Sequence, residues 1–431
     1  MTHRTWPASA RPIGRSAGDP DLPIILATGV SHLLTHAYLL LYPVLLLLLQ
    51  REFGIGLLAL GLIANAHYFA SGAGALPAGW IADRIGPVPA LRICMFGSAV
   101  SLLLLAFAAS PAWLAVALTL LGCFCSLHHP AGLALLSLGT QRSGRALVLH
   151  GMIGNVGIAL TPFVAAALAG QVGWRAACAL FALPGLVAGS IFSTRIGGRK
   201  SAGGGAGAAA AADPDAIVRA DPESGPPAAA ATGPGGSPGP LSVRWKPLLF
   251  LYLSVTLSGF VYSGVMTFLP ARMAAADGSG APARAGAVTS AALLVGMLGQ
   301  YVGGILWKRL SPVLLIAALL GLSSPCLWLT GRDPLWLAAF GAAAFAFFHF
   351  AAQPISNGTL PRFVPVRRLS LGYGVHFTLS FGIGSFAAAA AGYVAQRRGL
   401  PAVFPFFALF SAAAALAISG ARAQRDPGPR S

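Results

Sequence analysis

Acidic side chains are scarce in this chain. Asp and Glu together number 11 among 431 residues, and charged residues of both signs make up 9%, against about 25% in a soluble domain. So few charges cannot solvate the surface of a water-soluble fold. Every acid falls in a tail, in a loop or at a helix end, with Asp83 the one nearest a span. No carboxylate therefore sits at mid-depth, where a membrane protein would ordinarily place its ionisable working groups. Cysteine is sparse too. Cys94, Cys123, Cys125, Cys178 and Cys326 all lie within apolar runs, and an odd number of buried thiols excludes a disulfide framework. There are six methionines and no M-x-x-x-M pair, which weighs against a copper path. Alternating ten-residue strands are missing, so any membrane-crossing elements must be helices. No nucleophile–base–acid set and no phosphate loop appears, so the chain reads as a non-enzyme without a cofactor.

Hydrophobic residues make up 56% of the chain, and the mean hydropathy is +0.74. Apolar runs of about 20 residues, enough to span a bilayer, recur along its length. They predict twelve spans, at 23–49, 56–82, 90–108, 112–139, 147–170, 175–193, 246–273, 285–307, 313–330, 335–360, 369–395 and 401–420. The first run is too long for a signal-peptide core and reads as a retained helix. The net charge of +17 does not indicate nucleic acid, because the basic residues are scattered between spans. They follow topology instead. With both termini on the cytoplasmic side of an inner membrane, 21 of the 28 Lys and Arg face inward. Arg51, Arg175, Arg272, Arg284, Arg332, Arg397 and Arg398 make up the outer set. The predicted layout is a tail at 1–22, a six-helix half at 23–193, a linker at 194–245, a second half at 246–420 and a tail at 421–431. The linker is rich in Ala, Gly and Pro and cannot bury a core.

The halves read as a repeat. Gly79 to Pro87, at the end of span 2, parallels Gly304 to Pro312 at the end of span 8, 225 positions later. His129-Pro130 parallels Gln353-Pro354, and His150 parallels His376. Half-repeats are a recurring transporter architecture, with substrate bound between them. Gly79, Asp83, Arg84 and Gly86 resemble the loop motif of the major facilitator superfamily, which implies a gating role in latching one conformation of the halves, although Pro87, Val88 and Pro89 stand where its basic pair would follow and Lys308 replaces the acid in the second copy. A narrower resemblance is to the fosmidomycin-resistance-like branch. It rests on Ser31-His32-Leu33-Leu34, His129-Pro130, and Gly154-Asn155-Val156-Gly157 through Leu160 and Pro162. The resemblance implies a secondary transporter in which spans 1, 4, 7 and 10 line a cavity, spans 2, 5, 8 and 11 flank it, and the rest support from outside.

Eight of the nine histidines lie in predicted spans: His32, His36, His67, His128, His129, His150, His349 and His376. All fall on lining or flanking spans. One histidine in a span is readily a packing or interhelical hydrogen-bonding residue; the set as a whole is harder to dismiss. His32 and His36 share a helix face at i, i+4. At 1.5 Å per residue, His32, His36, His128, His129 and His349 reach comparable depths, while His150 and His376 lie nearer the cytoplasm as a symmetric pair. His128 and His129 point about 100° apart, and His129, before Pro130, is the better candidate for the cavity. His349, Gln353 and Asn357 form one polar stripe. Gly151, Gly154, Asn155 and Gly157 read as helix-packing positions.

These residues predict a monomeric secondary carrier of a small solute, coupled to protons. With no embedded carboxylate, histidine is the group that can exchange protons near neutral pH, and a protonated cluster favours an anionic or polar organic substrate. The alternative is a transition-metal carrier of the copper or zinc type that uses the histidines with Cys123 and Cys125.

Overall fold

The computed structural model describes residues 21–140, 143–192, 242–307, 309–365 and 368–421. The expected tails and linker lie almost wholly outside the described residues, as does Lys308. Among the described residues, ten helical stretches are long and apolar enough to cross a membrane. One of these, Ala146–Ile191, is two spans, because its backbone breaks at Gly173 (φ 81°, ψ 158°). A further span runs as Leu57–Ala73 and then Ala75–Ile85, jointed at Gly74. The count is therefore twelve.

Proline and glycine punctuate these spans in the manner that helix chemistry requires. Spans 3, 4, 8 and 9 open with Pro87, Pro111, Pro282 and Pro312 in the first turn, where a missing N–H costs no hydrogen bond. Spans 1 (Leu22–Phe53) and 7 (Trp245–Asp277) end on Gly54 and Gly278, both left-handed, and both run several residues past their expected ends. The repeat has a backbone signature. Gly173 between spans 5 and 6 and Gly399 between spans 11 and 12 adopt nearly the same angles (φ 81°, ψ 158° and φ 83°, ψ 161°), at the spacing that separates His150 from His376.

Besides jointed span 2, two more spans differ from the continuous helices expected. Span 4 stops at Cys125 and resumes at His128–Gly139. Pro130 has no N–H to give the Ser126 carbonyl, so the ladder opens there. Span 11 consists of Leu369–Phe377, a π-helical segment Thr378–Ile383, and Phe386–Arg398. Arg272, assigned to an outer loop, is instead buried inside span 7. Its Nε donates to the Thr330 carbonyl at 3.0 Å and its Nη2 to the Arg332 carbonyl at 2.8 Å and to Asp333 Oδ1 at 2.9 Å.

The halves meet through small residues that admit close backbone approach, as membrane helices require. Gly61 of span 2 lies against Ala388 and Gly392 of span 11, and Gly286 of span 8 against Pro162 and Ala166 of span 5. Leu45 and Leu49 of span 1 join Val265 and Phe268 of span 7 and Phe345 of span 10 (Leu335–Thr359) in one hydrophobic cluster. These five residues, where the cluster bridges the halves, lie toward the side opposite the one where span 1 begins. On the termini side, the second half keeps a core of its own around Leu251, Ile316, Ile355 and Ile418. The halves thus share a hydrophobic core toward the far side, while the second half has a separate one on the termini side. Exposed Trp80 and Trp245 ring the termini side, and exposed Trp113, Trp328 and Trp336 ring the other, the aromatic belts of a membrane protein.

Candidate functional site

Five histidines from spans 1, 4 and 5 converge on one point of the first half. His32 is the hub. Its ring centroid lies 4.6 Å from that of His36, 5.0 Å from His128, 5.2 Å from His129 and 4.3 Å from His150. His32 Nδ1 faces the His150 carbonyl oxygen at 3.2 Å. A carbonyl can only accept, so the proton sits on Nδ1 and the lone pair on Nε2. That lone pair faces His36 Nε2 at 2.9 Å. Ser31 Oγ donates its one hydrogen to the Thr28 carbonyl at 2.9 Å, so at 3.3 Å it accepts from His128 Nδ1. His128 Nε2 is thereby left as a bare acceptor, and both it and His150 Nδ1 are buried without a hydrogen-bond partner.

Local sequence explains the convergence. The i, i+4 spacing sets His32 and His36 on one face. The break in span 4 turns the first residues of its second piece, His128 and His129, toward span 1. Gly154 of span 5 makes the fit possible, because a Cβ there would stand 2.5 Å from the His32 ring carbons. Three residues on, a Cβ at Gly157 would collide with the Leu33 carbonyl oxygen, so spans 1 and 5 run in backbone contact.

The other expected site residues lie elsewhere. His150, expected nearer the cytoplasm than the others, instead stacks on His32 at an interplanar angle of 17°. Sequence depth placed it too low because the helix of span 5 begins at Ser143 and not at 147, which sets His150 about two turns in from its start. His376 packs with Tyr373 and Phe377. His349, expected to face the first-half histidines, has Tyr262, Phe345 and Phe350 as ring neighbours. Gln353 and Asn357 follow it along span 10, both half-buried. His67 is buried with Nδ1 donating to the Leu118 carbonyl at 2.7 Å. Asn155 is not only a packing residue, since its amide donates to Gln300 Oε1 across the halves. A Cβ at Gly151 would meet no neighbour within 4 Å. The thiols stand apart from the cluster, with Cys125 Sγ 3.5 Å from Ser98 Oγ and Cys123 exposed. In the loop motif, Gly86 ends the helix in an extended, positive-φ conformation, Asp83 is exposed, and Arg84 stacks 3.7 Å over Trp80; Gly79 lies beside Pro130.

A family model described as Major Facilitator Superfamily matches residues 27–389. The chain is 27% identical over 406 residues to a gallate transporter from Pseudomonas putida, covering 86% of this chain and 85% of that one. It is 28% identical over 151 residues to an uncharacterized MFS-type transporter, YfnC, from Bacillus subtilis (strain 168). That match takes in 35% of this chain and spans 37% of the relative's length. Among solved structures it resembles a bacterial homolog of the human lysosomal transporter Spinster in an inward-facing and occupied conformation. The TM-score is 0.72 at 15% identity, over 96% of this chain and all of that one. It also resembles a peptide transporter, POT, in complex with sulfate, with a TM-score of 0.69 at 15% identity over 94% of this chain and 95% of that one. At such identity the structural likeness establishes the fold.

Proposed function

The chain belongs to the Major Facilitator Superfamily, and on that footing we propose that it carries a small organic anion across the membrane together with protons. The observation that carries this reading is the five-histidine cluster in a bundle whose described spans hold no carboxylate at mid-depth. A carrier coupled to protons needs groups that gain and lose them near neutral pH. Here imidazoles are what the chain offers. A protonated imidazole attracts an anion, and a bound anion favours the protonated form in turn, so the two ligands travel in the same direction.

His32, His36 and His129 are the coupling groups in this reading, with His128 and His150 holding the His32 ring. His349, Gln353 and Asn357 line the path from the second half, and His67 and His376 are supporting groups. The likeness to the gallate transporter favours a hydroxylated aromatic carboxylate as the first substrate to try. In this reading the protein works as a monomer in an inner membrane with both termini in the cytoplasm. Residues 194–245 are a tether between two transport domains, 23–193 and 246–420. The motif resemblance favours the fosmidomycin-resistance-like branch.

The test is uptake into proteoliposomes of gallate, other hydroxybenzoates and aliphatic acids, with chelator present and a pH gradient imposed. The reading expects an acid outside to drive uptake severalfold and the medium to become more alkaline as substrate enters. Failure of every anion tested, or uptake indifferent to a protonophore, contradicts it.

A further inference from the structure

We propose that His32, His36 and His129 form a three-imidazole site for a divalent transition-metal ion of the zinc type. The residues are those of the transport reading above, but the inference rests on their geometry and not on their titration.

Two sets of three histidines offer one nitrogen each within 4.8 Å of the others: His32, His128 and His150, and His32, His36 and His129. Ring orientation separates them. A metal lies in the plane of each imidazole it binds, along the nitrogen lone pair. The first three rings are stacked nearly parallel, at 21°, 17° and 10° to one another. Their planes run side by side and share no point at bonding distance. The second three are inclined at 39°, 84° and 60°, so their planes cross and one ion can lie in all three.

The protonation pattern agrees. His32 Nδ1–H is fixed on the His150 carbonyl, so its Nε2 is a lone-pair donor. A carbonyl or carboxylate on the second nitrogen is the usual outer partner of a ligating histidine. His32 Nε2 and His36 Nε2 are 2.9 Å apart. Ligands at 2.0–2.1 Å in a tetrahedral zinc site sit about 3.3 Å from each other, so a small rotation of either ring, with the His36 proton moved from Nε2 to Nδ1, converts the pair into a chelate. Their i, i+4 spacing holds both on one helix, and His129 closes the set from span 4. Neither His36 nor His129 is fully buried, which leaves an ion a way in. Imidazole-only donors suit Zn, Cu and Ni. Three of them leave a fourth position for water or an anion, as in open zinc sites.

The test is direct binding of Zn²⁺ to the full-length protein in detergent, with any affinity tag removed, by competition with a chromophoric chelator. The expected result is one ion per chain. His36→Gln and His129→Gln should each weaken binding by about tenfold or more, while His349→Gln and His376→Gln stay within about twofold of wild type. Co²⁺ in the wild-type protein should give the intense visible bands of a four-coordinate ion, and His36→Cys should retain binding with an added thiolate-to-cobalt band. Equal affinity in wild type, His36→Gln and His129→Gln overturns the proposal. So does a wild-type Co²⁺ spectrum with only weak, six-coordinate bands, a result that needs no variant to fold. Binding is read here without substrate or gradient, and transport above is read in chelator, so either reading can fail alone.

Discussion

Gly154 lies directly beneath the ring of His32: a Cβ at this position would come 2.5 Å from His32 Cγ and Cε1. Span 5 therefore carries glycine here to seat the hub of the cluster, and the ring's Nδ1 then reaches the His150 carbonyl one turn earlier on the same span. Gly154→Ala should displace the His32 ring and cost about 1–3 kcal/mol through overpacking, with a severalfold loss of transport. Gly151→Ala, which meets nothing within 4 Å, should leave both unchanged. Thermal unfolding in detergent and uptake in proteoliposomes check the pair. A Gly154→Ala protein as stable and active as wild type would mean the ring is not seated by that glycine.

Asn155 and Gln300 join spans 5 and 8 across the two halves. Because the halves must separate there for the site to face the other side, replacing either amide with a shape-matched apolar residue should shift the conformational balance. Asn155→Leu should raise the reactivity of cysteines engineered on the termini side or on the far side, whichever opens further. The double variant Asn155→Leu/Gln300→Leu should show an interaction energy of about 0.5–3 kcal/mol in a thermal-unfolding cycle. Simple additivity would show that the pair does not couple.

Arg272 and Asp333 form an asymmetric ion pair. The arginine side chain is 2% exposed and the aspartate 71%. Solvent screens the carboxylate's share, so Asp333→Asn should cost under about 1 kcal/mol. Arg272→Met removes the donors to the Thr330 and Arg332 carbonyls as well, leaving the buried Thr330 acceptor unpaired at about 1–3 kcal/mol. Melting temperatures of the two variants should differ accordingly. Equal losses would place the weight on the ion pair instead of the carbonyls.

Asp83 is exposed and Arg84 is held by Trp80. Asp83→Asn should therefore change cysteine accessibility on the two faces only modestly and leave substrate binding within about twofold. A complete loss of transport would show that Asp83 acts as a latch despite its exposure.

The fold was legible because hydrophobic run length and Pro and Gly punctuation are properties of the chain itself. Eleven acids and 28 Lys and Arg distributed between spans left little room for another architecture. The cluster was legible in part. The i, i+4 pairing of His32 and His36 follows from helix geometry, and His128 and His129 announce themselves beside a proline. Membership of His150 was hidden, because it depends on where span 5 begins and on how closely spans 1 and 5 approach at Gly154 and Gly157. Glycines at 154 and 157, beside the His32 and Leu33 level, were the signal that could have found it. His349 misled for the opposite reason. Depth along a helix says nothing about which neighbours surround a ring, and Tyr262, Phe345 and Phe350 surround this one.

The central claim is that the histidines around His32 carry the protons that drive transport, and substituting glutamine for them tests it most directly. Glutamine keeps hydrogen bonding and cannot titrate. Proteoliposomes holding wild type, His32→Gln or His129→Gln, all in chelator, are compared in uphill uptake driven by a pH gradient and in substrate exchange at equal concentrations. The account predicts that the variants lose uphill uptake at least tenfold, keep exchange, and bind substrate with an affinity that no longer improves as pH falls. Full uphill, pH-driven uptake by both variants would contradict it and make these histidines packing groups.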